Sequence, residues 1–217
     1  MSWKESVFRN FRLYAVTDGR KPGRSFFHAV EAAYRGGADI VQLRSKSLSD
    51  SELFAAGLVI RRIARRYHKL FFVNDRPDLA LMLNADGVHL GQEDLPVKDV
   101  RRLCQRTAGH LWIGKSTHSV AQIKSGETEG ADYLAVGPVF ETPTKPDYPP
   151  VGFELVRYAA RFCRIPFVAI GGVHQKNIGE VLRAGARRVA VVRAIFASQD
   201  PYASTLQMVD RIKKFHS

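Results

Sequence analysis

The chain has 217 residues, 45% of them hydrophobic and 25% charged, with a formal net charge of +12 at pH 7. That length suits one large domain or two small ones, and the apolar content is enough for a sizeable core. No apolar run nears the roughly 20 residues that span a bilayer. The start, MSWKESVFRNFRLYAV, lacks a signal peptide's apolar core and cleavage site, so a soluble, cytoplasmic protein is expected.

Cys104 and Cys163 are far apart in helical patterns. They have neither metal-ligand spacing nor a disulfide framework, which fits a reducing compartment and two buried or half-buried thiols. The excess of positive charge is spread over helix faces, as in Arg61-Arg62, Arg101-Arg102, Arg187-Arg188 and Lys213-Lys214. Without an aromatic-interleaved basic stripe it reads as solvated surface first and as attraction for phosphate esters second. Neither nucleic acid nor membrane is expected as a partner.

Taken in order, Arg12–Asp18 predicts a first strand and Ser25–Gly37 a helix with Ser25 as N-cap. Ala38–Arg44 predicts a second strand, and Ser49–Tyr67 a helix opened by the capping box Ser49/Glu52. Leu70–Val73 is a buried-strand run ending in Asn74 and Asp75. A short apolar helix pattern (Leu79, Leu81, Met82) leads to a fourth strand, Gly87–Leu90, followed by Gln92, Glu93 and Asp94. Pro96–Gln105 predicts a helix, Leu111–Gly114 a fifth strand, and Ser119 caps a helix to about Gly130. Asp132–Phe140 predicts a sixth strand, Glu141–Gly152 a long loop, and Phe153–Cys163 a helix. Pro166–Ile170 predicts a seventh strand, Asn177–Gly185 a helix, Arg188–Val192 an eighth strand, and Tyr202–Phe215 the last helix.

Eight β-then-α units in alternation predict a (β/α)₈ TIM barrel, in one domain over residues 1–217 with a short extension at 1–11. A doubly wound open sheet explains the regular repeats less well. In a barrel the functional groups belong at the C-terminal strand ends, and there the sequence places Asp18, Gln42, Arg44, Lys46, Asn74, Asp75, His89, Gln92, Asp94, Ser116, His118, Thr142, Thr144, Lys145, Gly171, Gly172 and Arg193. Asp75 alone reads equally well as a helix N-cap. Parallel neighbouring strands lie about 4.8 Å apart, so Asp75 and Asp94 can meet at one rim and share a cation.

Seven patches are similar, in order, to those of thiamine phosphate synthases: QLRSK (42–46), VNDR (73–76), GVHLGQEDLP (87–96), STHS (116–119), GPVFETPTK (137–145), AIGGV (169–173) and VAVVRAI (189–195). The resemblance covers roughly Leu13 to Phe196. It implies an Mg²⁺-dependent transferase that joins 4-amino-2-methyl-5-hydroxymethylpyrimidine diphosphate to a thiazole phosphate, giving thiamine phosphate and pyrophosphate. The implied mechanism is dissociative: pyrophosphate leaves first, and the thiazole nitrogen captures a pyrimidine cation.

Residue by residue, the resemblance makes Asp75 and Asp94 the ligands of one Mg²⁺. It makes Gln42, Leu43, Arg44, Ser45, Lys46 and Asn74 the pyrimidine-diphosphate contacts, with Ser116 and Lys145 as further pyrophosphate donors. Thr142, Pro143, Thr144, Gly172, Val192 and Arg193 would receive the thiazole phosphate. The implied partners are these two small molecules, with monomer and homo-oligomer both open. Three positions depart from the family's usual pattern: Arg193 replaces a serine, Lys115 a small apolar residue, and Glu141 a proline. A related thiazole tautomerase, using a histidine at His118, is disfavoured by the retained Arg44, Lys46, Asp75, Asp94 and TPTK run.

Overall fold

The computed structural model describes residues 1–142 and 149–215. Eight parallel strands close a barrel in chain order: β1 Leu13–Val16, β2 Ile40–Leu43, β3 Leu70–Asn74, β4 Gly87–Leu90, β5 Trp112–Thr117, β6 Tyr133–Val136, β7 Phe167–Ile170 and β8 Val189–Val191. β8 returns to β1, pairing Leu13 with Val189. The helices are α1 Trp3–Asn10, α2 Arg24–Arg35, α3 Asp50–Arg66, α4 Pro77–Met82, α5 Val97–Arg106, α6 Val120–Thr128, α7 Gly152–Phe162, α8 Ile178–Arg183, α9 Arg193–Phe196 and α10 Pro201–Phe215. None of them is long and apolar enough to cross a membrane. The expected (β/α)₈ barrel is the fold.

Alternation along each strand divides the core in two. Outward residues such as Val41, Phe71, Val88 and Ile113 pack under the helices. Inward residues, among them Tyr14, Ile40, Phe72, Trp112, Tyr133 and Val168, fill the barrel. Space inside is made locally. A Cβ on Gly114 would fall 2.1 Å from the Tyr133 ring, so only glycine lets that phenol cross the interior.

Several boundaries differ from the sequence reading. The first turn of α2 opens at Arg24 with Gly23 as N-cap and no side-chain cap, so Ser25 lies inside the helix. Ser49 and Glu52 do form the expected capping box. β5 runs on to Thr117, because Ser116 faces into the barrel and still follows the strand's alternation. β6 stops at Val136, where the chain turns at Gly137-Pro138.

Residues 1–11, read as an extension, carry helix α1. It is opened by a capping box between Ser2 and Glu5 and closes the N-terminal end of the barrel. The Phe8 ring stacks on Trp112 with centroids 4.4 Å apart, and the Lys4 ammonium lies 2.7 Å from the buried carboxylate of Asp86.

Candidate active site

A cavity of about 1020 Å³ opens where the strands end at the C-terminal side of the barrel. Gln42, Arg44, Lys46, Asn74, Asp75, Asp94 and Ser116 line it on the β2–β5 side. Thr142, Gly172, Val192 and Arg193 line it on the β6–β8 side. Leu43 does not: it faces the helices, 2% exposed, because it follows the inward Gln42 by one residue. Ser45 does not line it either, and its hydroxyl accepts from the backbone N–H groups of Ser47 and Leu48 to shape the loop. Pro143, Thr144 and Lys145 fall outside the described residues. Asp18, at the same rim, is held by Arg20 in an ion pair of 2.8 Å.

The two expected metal ligands are built in different ways. Asp75 adopts φ 60, a left-handed backbone in which non-glycine residues are uncommon. Its N–H donates to the His89 carbonyl at 2.8 Å, which ties the end of β3 to β4. It does not cap the next helix, since the N-cap of α4 is Arg76. Arg76 instead bridges Asp50 at 2.5 Å and Asp78 at 2.7 Å, fixing the turn from outside. Asp94 folds back so that its Oδ2 accepts from the Gly91 N–H at 2.5 Å.

No group of three or more His, Cys, Asp or Glu suited to a metal occurs among the described residues. Asp75 and Asp94, as oxygen donors at one rim, suit a hard cation that fills its remaining positions with water and phosphate oxygens.

Cationic groups come from the neighbouring strand. The Arg44 backbone is pinned from both sides by Thr17, whose hydroxyl accepts from its N–H at 2.8 Å and donates to its carbonyl at 2.9 Å. Lys46 follows on the exposed part of the same loop. β2, β3 and β4 thus deliver Arg44 and Lys46, then Asn74 and Asp75, then Asp94, to one side of one cavity.

Below them runs a buried polar chain in which two tyrosines the sequence did not single out connect Gln42, His89 and Ser116. Gln42 Nε2 donates to the Tyr14 hydroxyl at 2.7 Å, and Tyr14 and Tyr133 share a hydrogen bond of 3.0 Å. Tyr133 meets His89 Nδ1 at 2.9 Å, and His89 Nε2 meets Ser116 Oγ at 2.9 Å. The amide donates at Nε2, and Gln42, Tyr14, Tyr133, His89 and Ser116 form one continuous hydrogen-bonded chain. Burial pushes the phenol pKa of both tyrosines up, so both stay protonated.

The opposite wall is formed largely by backbone. Gly171 and Gly172 have φ 102 and 65, and a Cβ on Gly172 would meet the Glu141 carbonyl at 2.7 Å. Asn177 braces this turn by donating from Nδ2 to the Gly172 carbonyl at 2.9 Å. His118 Nδ1 is engaged by the Gly137 carbonyl.

A family model described as thiamine monophosphate synthase matches residues 13–195. The chain belongs to the thiamine monophosphate synthase family. Membership makes it an enzyme of the transferase class. Among its relatives, a thiamine-phosphate synthase of Caldicellulosiruptor saccharolyticus is 41% identical over 214 residues, covering 98% of this chain and 96% of the relative. One from Thermosynechococcus vestitus is 43% identical over 203 residues, but the chain spans only 56% of that longer protein. A solved structure of thiamine phosphate pyrophosphorylase from Pyrococcus furiosus superposes with a TM-score of 0.88 at 34% identity, covering 97% of this chain and all of the other.

The family match contains every described site residue, from Gln42 to Arg193. His89 and Gln92, expected at the rim, line the cavity, and so do Tyr14 and Tyr133, which were not expected there. The usable signal was parity. A tyrosine at an inward position of an otherwise aliphatic strand needs a polar partner inside the barrel.

Proposed function

We propose that the chain makes thiamine phosphate from 4-amino-2-methyl-5-hydroxymethylpyrimidine diphosphate and a thiazole phosphate, releasing pyrophosphate. One observation carries this reading: the carboxylates of Asp75 and Asp94 and the cations of Arg44 and Lys46 line one cavity from the ends of three consecutive strands. A diphosphate leaving group needs that pairing, since its charge calls for a divalent cation together with basic donors.

Asp75 and Asp94 would hold one Mg²⁺, which when bound neutralises diphosphate charge and stabilises it as a leaving group. Arg44 and Lys46 donate to the terminal oxygens, and Ser116 offers a hydroxyl oriented by His89. Gln42 and Asn74 place the pyrimidine. On the other wall Thr142, Gly172 and the backbone near Val192 and Arg193 receive the thiazole phosphate, and by resemblance Pro143 and Thr144 join them while Lys145 serves the pyrophosphate. Departure of pyrophosphate before capture by the thiazole nitrogen requires no protein nucleophile. His118 is tied at Nδ1 to a carbonyl, and Arg44, Lys46, Asp75 and Asp94 on one side of the cavity favour synthesis over tautomerisation.

The test is turnover of the purified chain with both substrates, with Mg²⁺ and with EDTA. Thiamine phosphate and pyrophosphate should form in equal amounts and only with the metal. Absence of pyrophosphate release with both substrates and Mg²⁺ present would reject the assignment.

A further inference from the structure

We propose that Lys115 is a positioning residue for the loop that carries Asp94, holding it from behind the barrel wall. The inference rests on the reading of Asp94 as a cation ligand. Lys115 alternates between the inward positions Gly114 and Ser116, so its side chain leaves the barrel on the helix side. It is 6% exposed, and its stem passes within 3.8 Å of where a Cβ on Gly126 of α6 would stand. No carboxylate pairs with it among the described residues. Its ammonium donates instead to the Gly91 carbonyl at 2.7 Å.

That carbonyl belongs to the residue whose N–H is taken by Asp94 Oδ2 at 2.5 Å. Gly91 is therefore gripped at both of its polar groups, by the Lys115 ammonium and by the Asp94 carboxylate. A second tie, from Gln92 Nε2 to the Ser116 carbonyl, joins the same loop to the same strand. Leu90 pairs with Lys115 in register, so the strand leading into the loop cannot slide relative to the lysine.

Stability gives no reason for a cation here, because burying an ammonium against a single carbonyl is costly and an apolar side chain of like length would fill the space more cheaply. Groups that orient a metal ligand from behind are known to govern metal affinity by about 10- to 100-fold.

Lys115→Met keeps the stem and removes the ammonium. In the ligand-free chain, amide hydrogen exchange over residues 91–95 should quicken by about tenfold. The Mg²⁺ concentration for half-maximal turnover should rise by about tenfold, with kcat at saturating Mg²⁺ within about twofold of wild type and the melting temperature equal or higher. Unchanged exchange over 91–95 would overturn the proposal. So would a melting temperature several degrees lower with an unchanged Mg²⁺ requirement, the signature of a purely structural lysine. If wild-type turnover needs no divalent cation, the reading of Asp94 fails, and the exchange result alone still decides whether Lys115 holds the loop.

Discussion

Asp75 combines two demands in one residue, a carboxylate at the rim and a backbone at φ 60. Asparagine tolerates that backbone as aspartate does, so Asp75→Asn separates charge from fold. The variant should melt within a degree or two of wild type and lose at least about 100-fold in kcat at saturating substrate. Asp75→Ala should lose the same activity and about 1 kcal/mol of stability in addition, measured by chemical denaturation. Turnover near wild type in Asp75→Asn would remove that carboxylate from the site.

The buried phenols give a pH prediction. Tyr14, Tyr34 and Tyr133 have pKa values raised by burial above the ordinary 10.0. A group whose pKa is raised on folding stabilises below its unfolded value and loses that contribution as pH rises through the folded one. Stability should therefore fall from about pH 10 upward. Phenolate absorbance should show three of the seven tyrosines ionising only as the protein unfolds. A single reversible step for all seven near pH 10 would contradict it.

At this scale the places of Arg44, Lys46, Asp75 and Asp94 on the cavity wall were legible from charges that follow apolar strands, although Asp75 alone read equally well as a helix cap. The neutral chain from Gln42 to Ser116 was not, because His89, Tyr14 and Tyr133 acquire meaning only when strands from opposite sides of the barrel face each other.

Among the elements, α1 shows what local pattern leaves unsaid. Ser2 and Glu5 form a helix start that the sequence displays, yet its value comes from Phe8 and Phe11 entering a barrel that must first close. Phe8→Ala removes a ring stacked on Trp112 and should cost about 3–5 kcal/mol in urea unfolding. KM for both substrates should stay within about twofold, since α1 lies at the far end from the cavity. A loss below about 1 kcal/mol would show that the helix is not a plug. β5 misled for the opposite reason. Lys115, Ser116 and Thr117 look like a strand's polar exit, but Ser116 is the floor of a polar cavity and Lys115 reaches the rim along its stem.

The topology of the whole molecule was the most legible feature. Eight strands separated by helical patterns leave few arrangements other than a closed parallel barrel, and the right-handed crossovers do the rest. What no local stretch encodes is which loops meet. That Asp75 and Asp94 share a cavity with Arg44 follows from β2, β3 and β4 being neighbours in the closed sheet. Legibility there came from order along the chain, not from any single motif.

The wide spread of positive charge also resolves at this scale. Arg61 is buried on Asp86 at 3.2 Å, and Arg101 reaches Asp132 at 2.7 Å, so part of the excess holds helices to the barrel.

The most direct measurement is anomalous scattering from a crystal soaked with Mn²⁺ and pyrophosphate. The account predicts one Mn²⁺ peak about 2.1–2.3 Å from a carboxylate oxygen of Asp75 and of Asp94, with pyrophosphate oxygens between the ion and Arg44. A pyrophosphate bound elsewhere, or seated in the cavity with no metal near either carboxylate, would contradict it.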